Sequence, residues 1–344
     1  MKKFQDLKTD EHSTEGAMPG TTAADVAIEA GVSRSAVSRA FRQDRSLSED
    51  KRARILAAAK KLGYLPPSAQ AVARLSDKTI TLVAADMDNP FYPMAANALS
   101  QAIHASGRRL ILHAVPPQED VDSVLKQVLD YRSEAAIVTS SSMSSRMARD
   151  CRAQRMPVIL FNRVQPDRHM TAVTCDNYGG GRLAAGAFVA SGRHRIGMIG
   201  GKANTSTHIE RKRGFIDRLA ESDMRLWGER AGEFRYDVAF GAARDWLAQG
   251  DRPDALFCLN DVMALAALDA ARVLGLRVPE DLAVIGFDDI QMAAWPSYGL
   301  TTVRQPLRRM VADTLELIEA QLSDPEVCGT IRIAPVRLVE RDSA

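Results

Sequence analysis

From residue 79 onward the chain repeats one pattern: a short apolar run, a turn, and a stretch of helical periodicity. The runs are TLVAAD (81–86), RLILHAV (109–115), AAIVT (135–139), PVILFN (157–162), AVTCD (172–176), RIGMIGG (195–201), ALFCLND (255–261) and LAVIGFDD (282–289). Each has strand length and strand composition, and each is followed by a helix-like segment. Strands alternating with helices fold as parallel sheets with crossover helices on their faces, so this region reads as α/β and doubly wound. The pattern is too long for one such unit, which implies two tandem lobes with a cleft between them.

In open α/β sheets ligands bind outside the carboxyl ends of the strands. The polar residues that end these strands are therefore the candidate ligand groups: Asp88 and Asn89, Asn162 and Arg163, Asn260 and Asp261, and Asp288. Phe91 is placed to stack on an apolar ligand face. Singly, each Asn or Asp suits a turn or a helix cap equally well. Their recurrence at strand ends favours a site.

The first 78 residues follow a different rule. Between Gly31 and Leu75 ten basic residues face three acidic ones, a local charge of +7 that leaves −5 for the rest of a chain whose total is +2. A basic block on an acidic body suits one module that meets phosphates and another that need not. In TTAADVAIEAGVSRSAVSRAF, Thr22 is a helix cap, Val26 and Ala27 form an apolar stripe, and Gly31 breaks the run. Ser33 caps a second helix whose Ala36, Val37, Ala40 and Phe41 share one face and whose Arg34, Ser35, Ser38, Arg39 and Arg42 share the other. A third helix opens at Ser48, carries Glu49 and Asp50 where the helix dipole favours acid, stops at Gly63, and turns Ile55, Leu56, Ala59 and Leu62 inward. Two helices joined by the Ala30-Gly31-Val32 turn form a helix-turn-helix, whose second helix enters the major groove.

Residues 1–20 read as a flexible tail, since acids interrupt any apolar export segment, and no run of ~18 apolar residues could span a bilayer. Cys151, Cys175, Cys258 and Cys328 are far apart, with no CxxC pair and no histidine at metal-ligand spacing. That usage fits reduced, buried thiols in a cytoplasmic protein, with no metal and no cofactor.

Several strings in order resemble the family of the lactose and galactose repressors: DVAIEAGVSRSAVSRAF, a helix ending LGYLP, then DNPFY, HIERKRGF, LNDVMALAALDAARVLGLRVPEDLAVIGFDD and LTTVRQP. The resemblance spans about residues 21–340. It implies a headpiece over 21–66, a hinge over 67–77, and a two-lobed, periplasmic-binding-protein-like effector and dimerisation domain over 78–340. The first lobe would be about 78–175 plus 305–330, and the second about 176–302 plus 331–344.

The resemblance also implies functional residues. Arg34 and Ser35 would read bases, with Ser33, Ser38, Arg39 and Arg42 making neighbouring base and phosphate contacts and Thr22, Lys51 and Tyr64 touching the DNA backbone. The family's hinge wedges a leucine of an A-R-x-L pattern into the minor groove. Here Gln70-Ala71-Val72-Ala73 stands instead, so the wedge falls on Val72 or Ala73, or on Leu75 if the register slips. Arg211 and Asp261 match effector-contacting positions, and Gln305 matches one that lines or braces the cleft. The implied function is that of a transcription regulator, a repressor: a homodimer on palindromic operator DNA, controlled by a small molecule of sugar or sugar-acid type.

Three other readings are disfavoured. Gly179 to Ala184 fits G-x-G-x-x-A, but no acid lies about twenty residues on to hold a ribose, which disfavours a dinucleotide enzyme. No G-x-S-x-G occurs, and the histidines are scattered, so no catalytic residue is assigned. A solute receptor without regulatory role would share the cleft but carry an export signal and no DNA-binding module. No C-terminal heptad repeat argues for a coiled-coil tetramer.

Overall fold

A computed structural model of the chain describes residues 21–41, 47–64, 66, 78–115, 119–131, 133–139, 143–165, 167 and 169–344. The expected tail over 1–20, the hinge over 67–77, and with them Arg42, Val72, Ala73 and Leu75, lie outside the described residues. Two compact units divide the chain, 1–75 and 76–344.

In the first unit, helix α1 (Ala23–Ala30) starts at a complete capping box. Thr22 Oγ1 accepts from the Asp25 amide while the Asp25 carboxylate accepts from the Thr22 amide. It stops where Gly31 takes φ +61°, a left-handed conformation that glycine adopts without strain. Helix α2 (Arg34–Phe41) and helix α3 (Glu49–Lys61) follow. Val26, Ala27, Ala36, Val37, Ala40, Ile55, Ala58 and Ala59 form the shared core, and the rings of Phe41 and Tyr64 pack 6.0 Å apart. Two details differ from expectation. Leu56 is 41% exposed, because the inward stripe of α3 runs through Ile55, Ala58 and Ala59, one residue round the helix. Ser48 holds the N-cap position of α3 without a side-chain capping bond.

The second unit carries two six-stranded sheets. The first lobe contains β1 (Thr79–Ala84), α4 (Phe91–Ala105), β2 (Arg109–Ala114), α5 (Val121–Asp130), β3 (Ala135–Val138), α6 (Ser145–Ala153), β4 (Val158–Phe161) and β5 (Thr171–Cys175). The second contains α7 (Asn177–Ala190), β6 (Ile196–Gly200), α8 (Ser206–Ala220), β7 (Gly228–Ala231), α9 (Tyr236–Leu247), β8 (Ala255–Cys258), α10 (Asp261–Val273), β9 (Ala283–Asp288) and β10 (Thr301–Arg304). Helix α11 (Leu307–Ser323) returns to pack on α4, β4 and β5, then β11 (Ile331–Ala334) and β12 (Arg337–Val339) close the chain.

Strand order is β11-β5-β4-β3-β1-β2 in one sheet and β12-β10-β9-β8-β6-β7 in the other, and among the described residues only the β10–β12 pairing is antiparallel. Strands β1, β3, β5, β6, β8 and β9 are buried along their whole lengths, which is why each reads as a continuous apolar run. One boundary needs correction. Residues 331–334, expected in the second lobe, pair with β5 in the first, Ile331 opposite Ala172, so the last crossing falls at 335–336.

The triple glycine is explained by packing. A Cβ on Gly181 would lie 2.1 Å from the carbonyl oxygen of Arg211, and one on Gly214 would lie 2.0 Å from that of Tyr178. Helices α7 and α8 therefore cross backbone to backbone. Gly181→Ala or Gly214→Ala should cost about 2–3 kcal/mol, since neither carbonyl can move without shifting its helix. Gly241, inside α9 with nothing within 4 Å of its would-be Cβ, is the contrast: Gly241→Ala should add about 0.5–1 kcal/mol. Chemical denaturation of the three variants reads both signs.

Candidate functional site

Two regions gather the predicted functional residues. On the first unit, Ser33, Arg34, Ser35, Ser38 and Arg39 are all exposed along one face of α2 while Ala36, Val37 and Ala40 anchor the other. Ser33 caps the helix through the Ala36 amide, and Arg39 folds back onto the Ser35 carbonyl. Lys51 is exposed on α3, whereas Lys61 is paired with Glu29 at 2.7 Å. Among the described residues no carboxylate lies within salt-bridge distance of Arg34, Arg39 or Lys51, so this face offers cations and hydroxyls to an outside partner. Thr22 is exposed at the tip of α1. Tyr64 is only 8% exposed, its ring packed against Phe41 in the core of this unit.

On the second unit, a cavity of about 700 Å³ opens between the two lobes at the carboxyl ends of their strands. Asp88, Asn89, Asn162 and Arg163 line it from the first lobe, and Arg211, Asn260 and Asp288 from the second. Seven of the ten predicted ligand residues are thus brought together, and the other three are not on the wall. Phe91 is 1% exposed within the core, because α4 turns the next residue, Tyr92, toward the cavity. Asp261 is fully buried behind it, accepting from the Thr302 hydroxyl and the Ile290 amide. Gly286 leaves room for that carboxylate, since a Cβ there would meet Asp261 Oδ1 at 2.2 Å. Gln305 is a brace: its Nε2 donates to Asp288 Oδ1 at 2.7 Å.

Arg211 is the hub of the floor. Its Nε donates to Asn177 Oδ1 at 2.9 Å, Nη1 donates to the Leu259 carbonyl, Nη2 lies 3.4 Å from Asp288 Oδ1, and its Cζ sits 3.5 Å over the Phe287 ring. Burial pushes the Asp288 carboxyl up from its ordinary value, while the Arg211 charge pulls it back. The Asp261 carboxyl is raised by burial and by the neighbouring Asp288, and only partly lowered by the Thr302 bond.

The backbone around the cavity is strained. Five of the eight described non-glycine residues with positive φ (Asp86, Asn162, Glu233, Phe234 and Asp288) line it. Strain that the fold tolerates in one place marks that place as a working site. Two buried polar atoms on the wall, Asn162 Oδ1 and Asn260 Nδ2, and a third behind it, Gln305 Oε1, have no hydrogen-bond partner among the described residues, and the two on the wall call for a polar guest or water.

Sequence reasoning did not identify Tyr92, Thr207, Lys202 or the Glu233–Val238 segment on the wall. Tyr92 was readable from the helical phase of α4, but nothing in the string GEFRYDV announces a cavity wall. The same cavity region holds no metal cluster: among the described residues no group of three or more His, Cys, Asp or Glu converges.

Comparison with known proteins agrees with this architecture. Residues 22–67 match the model of bacterial regulatory proteins of the lacI family, and residues 185–344 match that of the periplasmic binding protein-like domain. The chain is 31% identical over 313 residues to the HTH-type transcriptional repressor PurR of Photobacterium profundum, covering 88% of this chain and 92% of that one. It is 28% identical to the ribose operon repressor of Lactococcus lactis, covering 94% and 98%. Among solved structures, the transcriptional regulator CelR in complex with cellobiose superposes with a TM-score of 0.71 at 27% identity, over 94% of this chain and all of that one. The lac repressor dimer bound to operator and the anti-inducer ONPF gives 0.72 at 24% identity over 94% and 99%, a likeness of fold. The chain belongs to the LacI family of bacterial regulatory proteins, DNA-binding transcription regulators that join a helix-turn-helix head to an effector-binding domain.

Proposed function

We propose that this chain represses transcription as a homodimer on a palindromic operator, and that a hydroxylated metabolite held between the lobes sets its grip. The observation that carries the reading is the cavity floor, where orphaned amide groups of Asn162 and Asn260 line the same cavity as the Arg211–Asp288 pair. Such a set of donors and acceptors suits the vicinal hydroxyls of a sugar or sugar acid. The ribose operon repressor and the CelR–cellobiose complex among its relatives favour the same class. No catalytic role is assigned to any residue.

In this reading Arg34 and Ser35 read base edges, while Ser33, Ser38, Arg39, Arg42, Lys51 and Thr22 fix the register on the phosphates. One head reads too few base pairs for useful specificity, so two half-sites are required. Metabolite and operator then bind with reciprocal coupling: whatever factor the metabolite applies to operator affinity, the operator applies to metabolite affinity.

Selection from random duplexes followed by fluorescence anisotropy tests the proposal. The full chain should enrich a two-fold symmetric sequence and bind it with an affinity that falls steeply with salt. Arg39→Ala should weaken operator binding by about 10- to 100-fold and leave the metabolite-induced rise in Tm unchanged. Loss of both together would mean that the two units are not separate sites. Asp288→Asn should raise the metabolite concentration needed for half-response by about 10- to 100-fold, since a charged acceptor is lost from the floor. An unshifted dose response would remove the cavity from the mechanism.

A further inference from the structure

The floor of the cavity carries an unbalanced charge, and the inference drawn from it rests on the cavity being the metabolite site. Besides Tyr92, four acidic or basic side chains are buried at the floor or just behind it: Arg163 is 5% exposed, Arg211 2%, Asp288 5% and Asp261 0%. Arg211 and Asp288 pair with each other. Asp261 is turned away from the cavity toward Thr302 and Ile290, and burial favours its neutral form.

That leaves Arg163. Its Nη1 donates to the Asn162 carbonyl at 3.0 Å and to the Thr207 hydroxyl at 3.4 Å, both uncharged, and its Cζ lies 5.6 Å from the Tyr92 ring centre. Among the described residues no carboxylate lies within 4 Å of it. The Asp288 carboxylate, already paired with Arg211, also feels the Arg163 charge, so one buried carboxylate is shared between two guanidiniums that do not lose their protons, and the floor keeps a net positive charge that is costly to bury. The carboxylates of the rim do not offset it. Asp86 is paired with Lys202 at 2.6 Å and Asp237 with Arg235 at 2.7 Å, while Asp88 and Glu233 sit where water reaches and screens them.

The neighbouring orphans sharpen the requirement. On the wall, Asn260 Nδ2 lacks an acceptor and Asn162 Oδ1 lacks a donor, so a guest must present hydroxyls as well as charge. A neutral sugar would satisfy the amides and leave the net positive charge of the two guanidiniums over one carboxylate uncompensated. A dianionic phosphate ester would overshoot one guanidinium beside the Asp288 carboxylate. We propose that the effector is a monoanionic polyhydroxy acid of the aldonate or uronate type, its carboxylate seated on Arg163 and its hydroxyls on Asn162, Asn260 and Asp288.

Calorimetric titration of the full chain with matched pairs decides the matter: D-ribose and D-ribonate, D-glucose and D-gluconate, D-galactose and D-galacturonate. In at least one pair the acid should bind, with its neutral counterpart about 10- to 100-fold weaker, the range expected for a charge-assisted contact. Arg163→Gln should narrow that gap to within a few fold. A neutral sugar that binds as tightly as its acid overturns the inference, and so does an Arg163→Gln variant that loses both members of the pair equally. The native pairs decide alone if the variant does not fold. Neutral-sugar binding that Asn260→Ala abolishes would keep the cavity as the metabolite site and remove only the claim about charge. Failure of every sugar and every acid to bind would sink both.

Discussion

The buried pair of Arg211 and Asp288 is the constraint on which the second unit depends. It joins five segments that are distant in sequence: α8 through Arg211, the start of α7 through Asn177, the end of β8 through the Leu259 carbonyl, the end of β9 through Asp288, and the crossing segment through Gln305. A buried ion pair of this kind adds little net stability compared with apolar side chains of the same volume, because both charges are stripped of water. Breaking it, by contrast, strands a charge. The pair is better understood as a device that holds cavity groups in register than as a source of stability. The stability comes from the apolar sheets and helices around it, with Phe215, Phe257 and Phe287 fully buried.

Much of this was legible in the residue order because the local rules and the tertiary fold agree. Parallel strands covered on both faces must be apolar throughout, so β1, β3, β5, β6, β8 and β9 announced themselves. The polar residues that ended them fell at the cavity because strand ends in such sheets point there. Three of the strands that escaped notice are those where the rule relaxes: β7 has the sequence GERA, and β11 and β12 are edge strands with exposed side chains. Strand β10 escaped although it is buried, because TTVR is short and half polar. The misplaced lobe boundary at 331–334 has the same origin: an edge strand can be assigned to a sheet only by its partner, and β5 lies 150 or more residues earlier.

The errors inside the cavity have a different cause. Choosing Phe91 over Tyr92 was an error of helical phase by one residue, about 100° of rotation, which sends one ring into the core and its neighbour to the wall. Asp261 carries the acid expected of a ligand contact, yet the glycine at 286 lets it sink behind the wall to hold Thr302 and Ile290. Gly179 to Gly181 shows the same lesson in reverse. A string that matches a nucleotide loop is used to bring two helices into backbone contact, and only the opposing carbonyls of Tyr178 and Arg211 distinguish the two uses.

What joins the lobes across the cavity bears on how a small molecule could act. Lys202 meets Asp86, Arg163 meets Thr207, and the Ser206 hydroxyl accepts from the Val164 amide. The ion pair is about two-fifths exposed on each side, and a pair so wet is worth about 0–1 kcal/mol. Neutral hydrogen bonds add about 1 kcal/mol each. The three chain crossings, near Asp176, Gln305 and Pro335, fix the hinge axis covalently, while these few contacts set the angle about it. An angle held by only a few kcal/mol lies within reach of a ligand that prefers another, because a ligand shifts a two-state equilibrium by its differential affinity and no more. The Arg211–Asp288 pair, by contrast, lies within one lobe, so a change of angle would not need to break it. A pair held within one lobe, beside weakly latched contacts between lobes, would let the energy of binding a ligand be converted into a change of lobe geometry.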